Sequence, residues 1–243
     1  MYTKHWMIFN GVDTRDVGVV MEQAPPIVRA PRRTTKIDVE GRDGTLTILS
    51  DDYANYIKTA DIVLRKFDYL DDVMALFRGS GWAVFSNEPD KRYRVSIDDQ
   101  IDWTRLIRNI GRITIPMDCY PFKYERHPEK IDQAVASSGP RMIELIARGT
   151  RYALPKITLY GTGPCTITTA ASGVSQSAEI NVFSETVTID GEMQEVYQGD
   201  APANHLMTGT FPRLEPGVLN TLTLSYSAGK ISRITIEPRW RWY

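Results

Sequence analysis

Residues 236–243 read "IEPRWRWY", with three aromatic rings and two arginines in the last five positions and a proline ahead of them. Trp240 and Trp242, beside Arg239 and Arg241, have the chemistry to stack on sugars or bases. Period two gives a competing account. Ile234, Ile236, Pro238, Trp240 and Trp242 share one face, while Arg233, Thr235, Glu237, Arg239, Arg241 and Tyr243 share the other. That is the pattern of a terminal strand with tryptophans inward and charges in solvent. The strand reading makes the segment the closing strand of a β-sandwich, and the chain before it has the same character.

Alternation between turn signals runs through most of the sequence, so the chain is predicted to be mainly β. In its second half the segments "KITLY", "CTITT", "AEINVF", "TVTID", "TLTLSY" and "KISRITIE" are separated by Gly, Pro, Asn and Ser at sandwich spacing. Within it, "YGTGPCT" at 160–166 has the glycines of a phosphate loop. A strand-like "TITTAASG" follows where a nucleotide site needs a helix N-terminus, so Gly161 and Gly163 read as a hairpin turn.

The first half opens with "WMIFNGVDTRDVGVVMEQAPP", read as a strand, a Gly-Val-Asp turn, a second short strand and a rigid exit at Pro25 and Pro26. "TKIDVEGRDGTLTIL" follows, with glycines at 41 and 44 where positive φ is expected. The one convincing helix is "DYLDDVMALFRGSG" at 68–81. Leu70, Val73, Met74 and Phe77 form its apolar stripe, Asp71 and Asp72 sit in the first turn, and Gly79 stands where a C-cap is expected. "GWAVFSNEPDKRYRVSI" is a hairpin around residues 87–90. In "IGRITIPMDCYPFKY", Pro116 and Pro121 place the last strand on an edge.

Residues 123–139, "KYERHPEKIDQAVASSG", lose the alternation and turn polar, so the linker falls there. Two domains are expected, residues 1–125 and 126–243, each long enough to bury a core.

Composition excludes several function classes. Apolar residues make up 42% and charged residues 24%, with a formal net charge of -1. Residues 1–125 carry 18 basic against 19 acidic side chains and residues 126–243 carry 11 of each, so neither half has the cationic surplus of a nucleic-acid binder. No secretory h-region opens the sequence, and the longest apolar run, at 17–21, falls far short of the roughly 20 residues of a membrane span. A soluble protein with no membrane insertion is expected.

Candidate catalytic groups are few. Cys119 and Cys165 are the only cysteines, too far apart for a zinc pattern, and read as buried thiols. His5, His127 and His205 lie near no Cys and form no H-x-x-x-H motif. The pairs Asp51-Asp52, Asp71-Asp72 and Asp98-Asp99 lack the D-x-D-x-D-G frame of a calcium loop and read as solvated ends of strands and helix. No G-x-S-x-G elbow is present.

The ordered set of motifs resembles the distal tail (Dit) protein family of long-tailed, non-contractile bacteriophages, especially those of Gram-positive hosts. "FNGVDTRDVGVVMEQAPPIVRAPRRT" and "VEGRDGTLTI" resemble the family's opening, and "IGRITIPMDCYPFKY" the close of its ring-forming domain. "LPKITLYGTGPCTITT", "VTIDGEMQEVY", "GTFPRLEPGVLNTLTL" and "ITIEPRWRWY" resemble its second domain in order and spacing. Val218 and Leu219 stand in "PGVLNTL", where the family often has a shorter passage.

The resemblance implies an N-terminal, β-sandwich-like ring domain with one short helix and a β-hairpin, then a C-terminal galectin-like β-sandwich. It implies a non-enzymatic siphovirus component of the virion, assembled in the host cytoplasm. This would be a homohexamer at the distal end of the tail, joining the tube to the adsorption apparatus while letting tape measure and DNA pass. Its partners would be itself, the major tail tube protein, and a tail-associated lysin or receptor-binding tail fibre protein, with no cofactor, no metal and no specific nucleic-acid binding. The alternative is a carbohydrate-binding module for host cell walls, with Trp240 and Trp242 as its glycan platform. The His-Asn-Pro-Arg and Trp-Gly-x-Glu signatures of sugar-binding galectins are absent from the sequence, and fold likeness alone does not carry sugar binding.

Overall fold

The computed structural model describes residues 4–64, 70–107, 110–135, 140–226 and 230–243. Two compact units divide the chain, Met1–Arg126 with Tyr243, and His127–Trp242. Both are mainly β.

The N-terminal unit contains β1 (Met7–Phe9), β2 (Val12–Asp13), β3 (Val19–Met21), β4 (Arg32–Asp38), β5 (Thr45–Tyr53), β6 (Tyr56–Leu64), α1 (Leu70–Leu76), β7 (Gly79–Phe85), β8 (Lys91–Ile97), β9 (Asp102–Ile107) and β10 (Ile110–Glu125). Its main sheet has the order β2-β1-β7-β8-β10-β6-β3, with β9 also on β10. Asn10 and Gly11, at φ 47° and 86°, make the tight turn between β1 and β2, so Val12 and Asp13 belong to a strand rather than to the turn. One face of this sheet is the core. Ala60, Ile62 and Leu64 of β6 and Ile113, Ile115, Met117 and Cys119 of β10 are buried at every second position, together with Val73 of α1 and Phe77 just beyond it. Full burial of each such aliphatic or aromatic side chain contributes about 1.5–3 kcal/mol. The expected helical stripe is therefore real from Leu70 onward, while Asp68 and Tyr69 lie outside the described residues.

Strands β4 and β5 form a separate two-stranded ribbon. Gly41 and Gly44, at φ 79° and 77°, shape its tip.

The C-terminal unit contains β11 (Ile131–Ala134), β12 (Arg141–Ile146), β13 (Lys156–Thr162), β14 (Cys165–Ala171), β15 (Val174–Ile180), β16 (Thr186–Asp190), β17 (Glu195–Gln198), β18 (Ala201–Pro202), β19 (Met207–Gly209), β20 (Leu219–Ser225), β21 (Lys230–Glu237) and β22 (Arg241–Trp242). One sheet has the order β11-β21-β13-β16-β17-β18 and the other β12-β20-β14-β15-β19, all antiparallel. Ile157, Leu159, Val187, Ile189, Ile234 and Ile236 of the first sheet and Ile143, Leu145, Ile167, Leu222 and Leu224 of the second fill one shared core. This is the sandwich the alternation predicts.

Three local expectations give way. Strand β10 is no edge: it pairs with β6, β8 and β9. Its prolines survive because Pro116 falls between the end of the β9 ladder at Thr114 and the start of the β8 ladder at Asp118, and Pro121 sits in the bulge between Cys119 and Lys123. Gly161 and Gly163, at φ 141° and 102°, do not make a hairpin, since β13 and β14 belong to opposite sheets and the glycines mark the corner between them. The polar stretch at 123–139 is not one linker. Residues 123–125 end β10, β11 is a strand paired with β21, and 136–139 lie outside the described residues. Each error has one cause: turn chemistry announces a break in alternation but not which sheet the chain enters next.

Gly111 lies at the register shift where β10 pairs with β9, and a Cβ there would meet the Trp103 ring at 2.2 Å. Gly111→Ala should therefore cost roughly 1–3 kcal/mol, measured by urea unfolding of the full chain; a change near zero would mean that the ring moves freely.

Candidate functional site

The C-terminal segment is the first candidate. Strand β21 stops at Glu237, Pro238 supplies no N–H, and Arg239 takes a left-handed φ of 55°, which ends the period-two register. Both arginines then turn inward. Arg239 Nη1 and Nη2 donate to Asp190 Oδ1 and Oδ2 at 2.7 and 2.8 Å, and Nη1 also reaches Glu192 Oε2 at 3.4 Å. Asp190, only 1% exposed, also accepts the backbone N–H of Glu192 and of Met193 at Oδ1, each at 3.1 Å. Arg241 is buried and donates from Nε and Nη2 to the Tyr152 carbonyl at 2.9 and 2.6 Å. Its own carbonyl accepts the Thr150 N–H at 3.0 Å.

Trp240 is 4% exposed and lies in the sandwich core, with Trp242 half-buried against it. The expectation of tryptophans inward holds for Trp240. The expectation of arginines in solvent does not, because the kink at Pro238 and Arg239 cancels the alternation that predicted it. A buried Trp240 offers no ring face on which a sugar could stack.

The second candidate is an ionic cluster inside the N-terminal unit. Alternation along β6 puts Lys58 on the core face, and Lys123, four residues past Cys119, keeps the inward phase of β10 across its bulge; both are buried. Lys123 Nζ pairs with Glu88 Oε1 at 2.7 Å, and the Tyr93 hydroxyl donates to Glu88 Oε2. Lys58 Nζ donates to the Pro26 carbonyl and stands 4.8 Å from the Tyr93 ring centre. Asn87 Nδ2 holds the Pro25 carbonyl at 2.8 Å. The Pro25–Pro26 exit is thus latched to the body by two side chains. Sequence reasoning missed this cluster. The inward parity of Lys58 and Lys123 was legible by counting along β6 and β10, but their meeting beside Glu88 depends on which strands pair.

Burial sets the titration of these groups. It pushes the Lys58 ammonium below and the Tyr93 phenol above their ordinary ranges, and it pushes the Cys119 thiol up to about 12. The Cys165 thiol is likewise pushed up to about 12 by burial. Neither is a thiolate near neutral pH, so neither is an activated nucleophile.

The remaining sequence candidates stay apart. His127 and His205 are exposed and His5 half-buried, and Asp51, Asp52, Asp71, Asp72, Asp98 and Asp99 are exposed. Among the described residues no group of three His, Cys, Asp or Glu side chains is arranged to hold a metal. Open clefts occur among the described residues. One of about 310 Å³ lies beside Cys165, Glu179, Asn181 and Tyr226, and one of about 390 Å³ lies between the end of α1 and the end of β8.

At Asp190, burial pushes the carboxyl up, but the hydrogen bonds from Arg239 and from the backbone outweigh it and hold the group below its ordinary value. A depressed folded-state value means stability that is present above about pH 4 and lost as pH falls through the folded value. Arg239→Ala should cost about 3 kcal/mol at neutral pH and release the upward pull of burial, so the penalty should shrink as the pH drops and Asp190 protonates. Urea unfolding at pH 7 and pH 4.5 checks this, and an equal loss at both would rule out Asp190 as the group responsible.

Neither a scan against protein-family models nor a search of the curated proteins finds a match. Among solved structures the chain is similar to the crystal structure of the SPP1 Dit (gp 19.1) protein, described as a paradigm of the hub adsorption apparatus in phages that infect Gram-positive bacteria. The TM-score is 0.71 at 12% sequence identity, covering 98% of this chain and 99% of that one. At that identity the likeness is carried by backbone rather than by shared side chains. Over essentially its whole length, the chain therefore has the fold of a phage Dit protein.

Proposed function

We propose that this chain is a structural protein of a phage tail tip, the distal tail hub between the tail tube and the host-adsorption apparatus. The observation that carries the reading is the fold likeness to SPP1 Dit, which leaves almost nothing of either chain unmatched. A hub acts by geometry, and the ion pairs within each unit suit that role. Glu88 with Lys123, and Asp190 with Arg239, are ion pairs whose side chains fix the backbone rather than face a cleft.

In this reading six copies close into a ring whose lumen passes tape measure and DNA. The N-terminal unit forms the ring, and the C-terminal unit is the galectin-like sandwich. The ring sits on the major tail tube protein and carries a tail-associated lysin or receptor-binding fibre. Closed rings use head-to-tail contacts, which give exposed strand edges and apolar faces a place to pair.

Light scattering of the full chain should give a particle about six times the 27.6 kDa chain mass, and electron micrographs should show six-fold rings. Peptides of the chain should also be found in purified virions. A monomer at every concentration, absent from particles, would overturn the proposal.

A further inference from the structure

The turn between β1 and β2 joins a reactive pair of residues to a hydrogen-bonded clasp. Asn10-Gly11 is the only Asn-Gly sequence in the chain, and both residues are exposed. A glycine nitrogen is the least hindered of backbone amides, which makes such a pair the most prone to cyclise, and asparagine is among the thermolabile side chains. Asn10 is also held. Its backbone N–H donates to the Trp82 carbonyl at 3.0 Å and its Oδ1 accepts the Trp82 N–H at 3.0 Å, so the side chain extends the β1–β7 ladder by one more bond beyond Phe9 and Ala83. The room for this clasp comes from Gly81, where a Cβ would lie 1.8 Å from Asn10 Oδ1 and 2.4 Å from its Cγ.

Backbone geometry decides whether the pair can react. Cyclisation needs the Asn10 side chain and the Gly11 nitrogen on the same side of the Cα–C bond, so that the nitrogen meets Cγ. A two-residue connection between Phe9 and Val12 with φ of 47° and 86° is a type I′ turn. Its first central residue, as the mirror image of type I, has ψ of about 30°. There the side chain and the following nitrogen point to opposite sides, and the Trp82 N–H holds the side chain in place. The folded hairpin therefore keeps the reacting atoms apart.

We propose that Asn10-Gly11 is a deamidation site gated by the fold, closed while the clasp to Trp82 holds and open when the β1–β2 hairpin swings off β7. Once it opens, the Gly11 nitrogen attacks Asn10 Cγ. The N–Cγ bond forms, the Cγ–Nδ2 bond breaks, and the proton of the Gly11 N–H leaves with Nδ2 as ammonia. Water then opens the succinimide at Cγ to give aspartate, or at the backbone carbonyl of residue 10 to give isoaspartate. Isoaspartate carries the main chain through Cβ and Cγ. That adds a methylene to a two-residue loop and breaks the register of Phe9 with Val12 and of Ile8 with Asp13. The buried Thr14, whose N–H donates to the Met7 carbonyl at 2.9 Å and whose Oγ1 accepts the Met7 N–H at 3.1 Å, sits just beyond that break.

The test ages the full-length chain at neutral pH, in buffer and in denaturing guanidinium chloride, and reads isoaspartate at position 10 by peptide mapping with an isoaspartyl methyltransferase. Formation in buffer should be slower than in denaturant by about tenfold or more. Low concentrations of guanidinium should speed it in step with hydrogen exchange of the Trp82 amide, because one opening frees both. Gly81→Ala displaces the end of a flexible side chain rather than backbone. It should raise the rate in buffer by about tenfold, with circular dichroism showing the fold retained. Isoaspartate forming as fast in buffer as in denaturant would overturn the proposal, as would none at position 10 in denaturant. A rate that moves independently of Trp82 exchange, or a folded Gly81→Ala chain that deamidates at the wild-type rate, would overturn it too. The Trp82 comparison needs no substitution, so it decides the matter even where the variant does not fold.

Discussion

The N-terminal unit depends on one strand carrying more partners than a strand normally has. The sixteen-residue β10 serves β6, β8 and β9, and no flat, regular strand could do so without conflict between its ladders. The irregularities resolve it. Pro116 falls in the interval between the β9 and β8 ladders, and the bulge at residues 119–123 takes up two extra residues against β8, so that the inward row of Ile113, Ile115, Met117 and Cys119 resumes at Lys123 opposite Tyr93. That placement puts a cation against Glu88. The half-buried Glu88 carboxylate in the β7–β8 turn takes both Lys123 and the Tyr93 hydroxyl, so the turn, the bulge and the Pro25–Pro26 exit are tied through a single ion pair and its neighbours.

The same logic recurs at the other end of the chain. The kink at Pro238 and Arg239 breaks a strand, yet it delivers a guanidinium to the buried Asp190 carboxylate, which in turn accepts two backbone N–H groups of the following turn. Gly149, at φ 97°, lets residues 149–151 approach the Arg241 carbonyl, to which a Cβ at position 149 would come within 2.3 Å. Two irregular segments are thereby fixed without a regular ladder between them. Buried charge in this protein specifies where loops go, a role for which apolar packing is too permissive.

What was legible in the sequence follows from what period two can encode. Alternation states which residues of a strand face inward, and it reported the mainly β class, the sandwich and the inward Trp240 correctly. It carries no information on partner strands, so β10 looked like an edge and the Gly161–Gly163 corner looked like a hairpin. Nor does it survive a left-handed residue, and so Arg239 and Arg241 were placed on the wrong side of the backbone. Strand β11 was overlooked for a related reason: its burial alternates only between half-buried and exposed, too weak a contrast to stand out from the polar residues around it.

A likeness at 12% identity over whole chains is easier to understand in these terms. Alternation can be rewritten residue by residue without disturbing a sheet, because many apolar side chains satisfy an inward position equally well. Corners, bulges and ion pairs are less forgiving, since the left-handed Arg239, the bulge at residues 119–123 and the guanidinium on Asp190 each need a particular local geometry.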